Sequence, residues 1–198
     1  MKEYDRAYFD RWYRDTRQRV VTPTTLARRV AWIVATSEYI LQRRIRNVLD
    51  VGCGEGHWAA AIHRLRPRAA YTGVDPSPYV ISRYGARRHI LQGKIEDLDS
   101  LPLAESFDVI VCCAALNYLP PAVVGRGLAH ISDRLEGVAH IEIFSPGDPV
   151  EGDFRGWRWY SPRWVRQRVR DAHLIPIGLQ CYVRREHASE LNALELGH

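Results

Sequence analysis

Apolar and polar positions along this chain follow two alternating rhythms. Short runs rich in Val, Ile and Leu at 47–51, 70–74, 89–92 and 107–113 predict buried strands. The stretches between and after them place apolar residues at helical spacing, which predicts helices near 57–65, 77–86, 121–135 and 162–173. In the last of these, Val165, Val169 and Ala172 share one face, and Arg163, Arg166 and Arg170 share another. Thr22-Pro23-Thr24 reads as a helix start, and Leu26, Val30, Ile33, Ile40 and Leu41 follow on one face with only Ser37 polar among them. Further strands are expected at 137–144, 175–184 and 190–196. Only His187-Ala188-Ser189 separates the last two, so they should pair antiparallel. Strands alternating with helices imply a mainly parallel sheet covered on both faces.

Composition narrows the picture. A chain of 198 residues is long enough for one domain with a sizeable core. The charged, aromatic N-terminus does not read as a secretory leader, and no apolar run reaches bilayer length. Cys53, Cys112, Cys113 and Cys181 lack metal-finger spacing and read as reduced thiols of a cytoplasmic protein, with no metal expected. The net charge of +5 is carried almost wholly by arginines spread along the chain, so a nucleic-acid partner is not expected.

The chemistry concentrates at Val48-Leu49-Asp50-Val51-Gly52-Cys53-Gly54-Glu55-Gly56. This is a strand ending in an acid, then three glycines at alternate positions, then the helical Trp58-Ala59-Ala60-Ala61-Ile62. Glycines let a chain turn sharply and bring its backbone against a ligand. A dinucleotide fingerprint would need glycine where His57 stands. A second run, Ala70 to Val74, ends in Asp75, and an acid there can accept both hydroxyls of a ribose. Nicotinamide enzymes place an acid similarly, so Asp75 does not decide between the two cofactors.

The Asp-x-Gly-x-Gly-x-Gly pattern resembles motif I of the class I S-adenosylmethionine-dependent methyltransferases. Three further segments fit that family in order: Ala70 to Asp75, Ile90 to Leu98 and Ser106 to Leu119. The resemblance runs from about residue 47 to 146 and is weaker elsewhere. It implies a Rossmann-like, doubly wound seven-stranded sheet with an antiparallel last strand. An N-terminal helical cap would span 1–45 and the core 46–198. The implied cofactor is S-adenosyl-L-methionine, leaving as S-adenosyl-L-homocysteine.

The resemblance also implies a cofactor site of Asp50, Gly52, Cys53, Gly54, Gly56, Asp75, Pro76, Cys112 and Cys113. Asp97 would meet the adenine amino group, with Glu96 the competing choice, and Ile95 would pack on the ring. Tyr4, Tyr8 or Tyr13 of an N-terminal lid would reach the cofactor carboxylate. The family histidine after strand four is replaced by Tyr118. Methyl transfer needs a base only if the acceptor must lose a proton, and His57, Tyr118, Tyr160 and Glu142 are the candidates. The aromatic loop 147–162 is where relatives place acceptor contacts, here Trp157, Arg158 and Trp159, with Glu142 beside them. His140 reads as a packed interior histidine.

The Asn/Asp-Pro-Pro-aromatic motif is absent at Asn117-Tyr118-Leu119-Pro120, which disfavours methylation of planar amino groups. The expected activity is methyl transfer to a small-molecule O, N or C nucleophile. An RNA or protein methyltransferase, or a binding module without catalysis, is the alternative. A nicotinamide-dependent oxidoreductase is a weaker one.

Overall fold

The computed structural model describes residues 4–17 and 21–191. Seven strands form one sheet: β1 (Asn47–Val51), β2 (Ala70–Asp75), β3 (Ile90–Gln92), β4 (Phe107–Cys112), β5 (Leu135–Ile141), β6 (Leu174–Gly178) and β7 (Cys181–Arg184). Their order is β3-β2-β1-β4-β5-β7-β6, with β7 antiparallel to both of its neighbours. The α-helices are α1 (Arg6–Phe9), α2 (Pro23–Leu41), α3 (His57–Leu65), α4 (Pro78–Arg88), α5 (Pro121–Asp133) and α6 (Pro162–Asp171).

Alternation along the strands sorts side chains into two cores. Leu49, Ile110, Ala139 and Ile141 pack toward α5 and α6, with Leu128, Ile131 and Val169. Val48, Val109, Val111 and Val138 pack the other way, with Val30, Ile33 and Val34 of α2 and Trp58 and Ile62 of α3. Helix α2 therefore completes a layer of the core, whereas Tyr4, Tyr8, Phe9 and Tyr13 pack with Val80 and Ile90. It can approach closely because Gly137 has no side chain: a Cβ there would stand 2.3 Å from Ser37 Oγ. The buried Ser37 hydroxyl donates to the Asp108 carbonyl at 2.7 Å. Arg43, just past α2, grips the Asp108 carboxylate with two hydrogen bonds of 2.7 and 2.8 Å.

The end of the chain departs from expectation. The run 175–184 is not one strand but the β6–β7 hairpin, turning at Leu179 and Gln180 with φ of 48° and 60°. A two-residue turn with both φ positive suits the twist of paired strands, and neither residue is the usual Asn or Gly. This hairpin supplies the antiparallel strand that had been placed at 190–196. Residues 185–190 form a 3-10 turn, and 192–198 lie outside the described residues.

Candidate active site

The glycine loop is shaped by its backbone. Gly52, Gly54 and Gly56 have φ of 69°, 52° and 71°, all in the left-handed region. Gly52 has a second reason to be glycine, since a Cβ would lie 2.8 Å from that of Ala115. Asp75 ties the loop to β2. Its carboxylate accepts the Gly54 N–H at 2.8 Å and the Ser77 N–H at 2.9 Å. Asp50 is buried below and accepts the Tyr71 hydroxyl at 2.7 Å. Burial, with a smaller push from Asp75, raises the Asp50 pKa to about 7 against the pull of that hydrogen bond.

The N-terminal aromatic segment covers this loop. Phe9 is buried and packs so tightly on Gly54 that a Cβ there would meet its ring at 3.0 Å. It stacks on Tyr79 at 5.7 Å. Tyr13, in a π-helical turn at Asp10–Arg14, stacks on His57 at 5.7 Å. The Tyr4 carbonyl accepts the Ser77 hydroxyl at 2.6 Å, and Arg14 pairs with the buried carboxylate of Glu55.

The third-strand segment divides the acids. Asp97 caps its own turn by accepting the Lys94 N–H at 3.0 Å. Ile95 is buried against Gly127 of α5. Glu96 keeps a buried oxygen, Oε2, with no hydrogen-bond partner.

Beyond the ends of β4 and β5 lies a cavity of about 690 Å³. Tyr8, Tyr13, Tyr118 and Trp157 form aromatic walls, with Arg29, His140 and Glu142 among its polar groups. Ala114, next to the end of β4, lines it with a left-handed φ of 52°, a strained state for a residue with a side chain. Asn117 fastens the loop that closes the cavity. Its side chain accepts the Phe144 N–H and donates to the Phe144 and Arg158 carbonyls, at 2.7 to 2.9 Å. The Tyr118 hydroxyl donates to the Asp153 carbonyl at 2.6 Å. Burial, then Tyr8 and Tyr4, hold that phenol far above its ordinary pKa, so it stays protonated.

Several expected residues stand apart from this cavity. His57 lies against Tyr13 at the start of α3, and burial pushes its pKa down. Tyr160 donates to the Leu119 carbonyl and stacks on Trp164 at 4.2 Å, within the core. Trp159 is exposed beside Phe154, and Arg158 meets Asn117 through its backbone. Arg29 and His140 were missed as site residues. One sits on a helix read only for packing, and the other was read as interior. Cys112 is fully buried in the core, whereas Cys113 is half-buried near His140 and Glu142.

Comparison with known proteins supports the same reading. A family profile described as a methyltransferase domain matches residues 48–137, from β1 to β5. Over that stretch, a little under half of its length, the chain is similar to the methyltransferase-domain family. It is 31% identical over 106 residues to a trans-aconitate 2-methyltransferase of Deinococcus radiodurans, covering 52% of this chain and 40% of the relative. The chain thus spans less than half the length of that curated relative. Solved methyltransferases share the fold. Magnesium protoporphyrin IX methyltransferase of Synechocystis, with bound S-adenosylhomocysteine, superposes with a TM-score of 0.63 at 17% identity, covering 91% of this chain and 96% of the other. A sugar N-methyltransferase of Streptoalloteichus gives 0.56 at 23% identity, covering 73% and 57%.

The residues of this site fit S-adenosylmethionine. The glycine loop offers backbone without side chains. Asp75 keeps lone pairs for a diol after its two backbone contacts, and Glu96 Oε2 is an acceptor awaiting a donor. Among the described residues no helix is long and apolar enough to cross a membrane.

Proposed function

We propose that this protein transfers the methyl group of S-adenosylmethionine to a small-molecule acceptor held in the cavity beyond β4 and β5. The observation that carries this reading is one of placement. The left-handed glycine loop, clamped by Asp75, meets Ala115 at Gly52, and the adjoining Ala114 lines an aromatic-walled cavity of about 690 Å³, a volume suited to a small ligand. The cofactor supplies an already activated methyl carbon. The chain has to hold the two reactants in line and keep water out.

Gly52, Gly54 and Asp75 bind the cofactor, with Glu96 favoured over Asp97 for the adenine because Asp97 is engaged by Lys94. Phe9, Tyr8 and Tyr13 close over the cofactor and exclude solvent. Trp157 faces the acceptor, and its buried Nε1–H has no partner in the protein. Tyr118 acts as a wall and a hydrogen-bond donor. Glu142, held ionised by His140 and Arg29 against the cost of burial, places a negative charge on the cavity wall. Four unpaired cysteines suit the reducing cytoplasm.

Incubation with donor carrying a labelled methyl group tests this reading. The acceptor panel would hold small alcohols, amines, carboxylic acids, peptides and RNA. Label should pass to a small molecule; transfer only to RNA or peptide would contradict the proposal.

A further inference from the structure

We propose that Cys113, His140 and Glu142 bind one divalent transition-metal ion of the zinc type, with an open coordination position facing the cavity. The thiol sulfur, an imidazole nitrogen and a carboxylate oxygen lie within 4.8 Å of one another. Donors around a single four-coordinate zinc, with bonds of about 2.0–2.3 Å, stand about 3.5 Å apart, so side-chain shifts of about 1 Å bring these three into ligand range. His140 Nε2 is already 3.7 Å from Glu142 Oε1.

The fold explains the grouping. His140 and Glu142 alternate with Ile141, so both project from the α2 side of the sheet. The Glu142 N–H donates to the Cys112 carbonyl at 3.0 Å, which sets Cys113 beside them. Two distant segments thus meet at the ends of adjacent parallel strands.

Two observations point to a ligand. The His140 side chain is 5% exposed, yet its Nε2 has no hydrogen-bond partner. An orphaned buried imidazole nitrogen is rare and asks for an ion or a donor. The other ring nitrogen, Nδ1, lies 3.5 Å from Cys181 Sγ. With the proton on Nδ1, donated to that sulfur, Nε2 carries the lone pair a metal needs. Arg29 Nη1 holds Glu142 Oε1 at 2.6 Å and keeps the carboxylate charged, while its remaining lone pairs stay available. A thiolate and a carboxylate balance a divalent ion, and Arg29 orients from outside the ligand set.

The mixed sulfur, nitrogen and oxygen donors suit zinc and not magnesium or calcium, which take oxygen ligands. Three protein ligands leave one position, as in catalytic zinc sites. His140 and Glu142 line the cavity, so that position faces the acceptor. An acceptor hydroxyl or thiol bound there would lose its proton more readily, and this role alone rests on the function proposed above.

The test is metal binding by the chelator-stripped full chain. Zinc competition against a chromophoric chelator should show one tight site per chain. Cobalt should give tetrahedral absorption with a thiolate charge-transfer band. Cys113→Ser should abolish that band, and His140→Gln should weaken zinc more than about a hundredfold. Cys181→Ser should keep the band. Circular dichroism checks that each variant folds. No stoichiometric zinc binding, or a cobalt–thiolate band that survives Cys113→Ser, would overturn the proposal. Binding of S-adenosylhomocysteine by the stripped protein separates the two readings: if it binds and zinc does not, only the metal site falls.

Discussion

The Asp75 carboxylate accepts the Gly54 N–H at 2.8 Å, so the acid ending β2 and the glycine loop after β1 are one mechanical unit. A ligand that engages Asp75 also meets a loop held in register. Asp75→Asn keeps the volume but sets an amide NH2 against one of the two backbone N–H donors of Gly54 and Ser77, so it loosens the loop as well as removing an acceptor. It should weaken S-adenosylhomocysteine binding about 10- to 100-fold, the loss expected for charge-assisted hydrogen bonds of about 1.5–3 kcal/mol. Calorimetry of the variant checks this, and unchanged affinity would remove Asp75 from the site.

Asp50 should make cofactor binding depend on pH. Burial raises its pKa to about 7 in the free protein, so near neutrality it is partly protonated. A cofactor ammonium nearby favours the ionised form, so binding should release protons around pH 7 and tighten as pH rises through that value. Titrations in buffers of different ionisation enthalpy measure the release. Asp50→Asn should abolish it.

Trp157 separates ring from donor. Its ring meets Tyr118 edge-on at 4.9 Å, while its Nε1–H is buried and unpaired. Replacing it with a smaller aromatic, Trp157→Phe, should preserve the wall and remove the donor. KM for the acceptor should rise about 3- to 10-fold, with little change in cofactor affinity. Arg158→Ala should change neither, because that side chain is outside the cavity.

Stability has its own titrating group. Burial would raise the Asp108 pKa, but hydrogen bonds from Arg43 and from the Arg46 backbone outweigh it and hold the group below the ordinary carboxylate value. A depressed folded pKa stabilises above the unfolded value and is lost as pH falls through the folded one. Acid unfolding should therefore reflect this pair at pH below about 4. Arg43→Ala leaves a buried carboxylate unpaired and should cost about 3 kcal/mol at neutral pH by urea unfolding.

The sheet core and the glycine loop were legible because they are local. Val48 to Ile62 declares a strand, a turn and the start of a helix in one continuous run. The hairpin at Leu179-Gln180 was not, because its positive φ values fall on residues that carry no turn signal. The cavity was half legible. Trp157 and Glu142 belong to it, but Arg29 reaches Glu142 across 113 positions, and no spacing rule reports such a meeting. His57 and Tyr160 drew attention by chemical type, yet packing against Tyr13 and Trp164 determines where they sit. Cys113, His140 and Glu142 lacked metal-ligand spacing because strand adjacency, not sequence, brings them together.

Calorimetric titration of the purified chain with S-adenosylhomocysteine, with NADH as comparison, tests the central claim most directly. Micromolar, one-to-one binding of the former and none of the latter is the expected result. Binding of NADH alone, or of neither, would mean that the glycine loop serves a different ligand or none, and the assignment of function would fail.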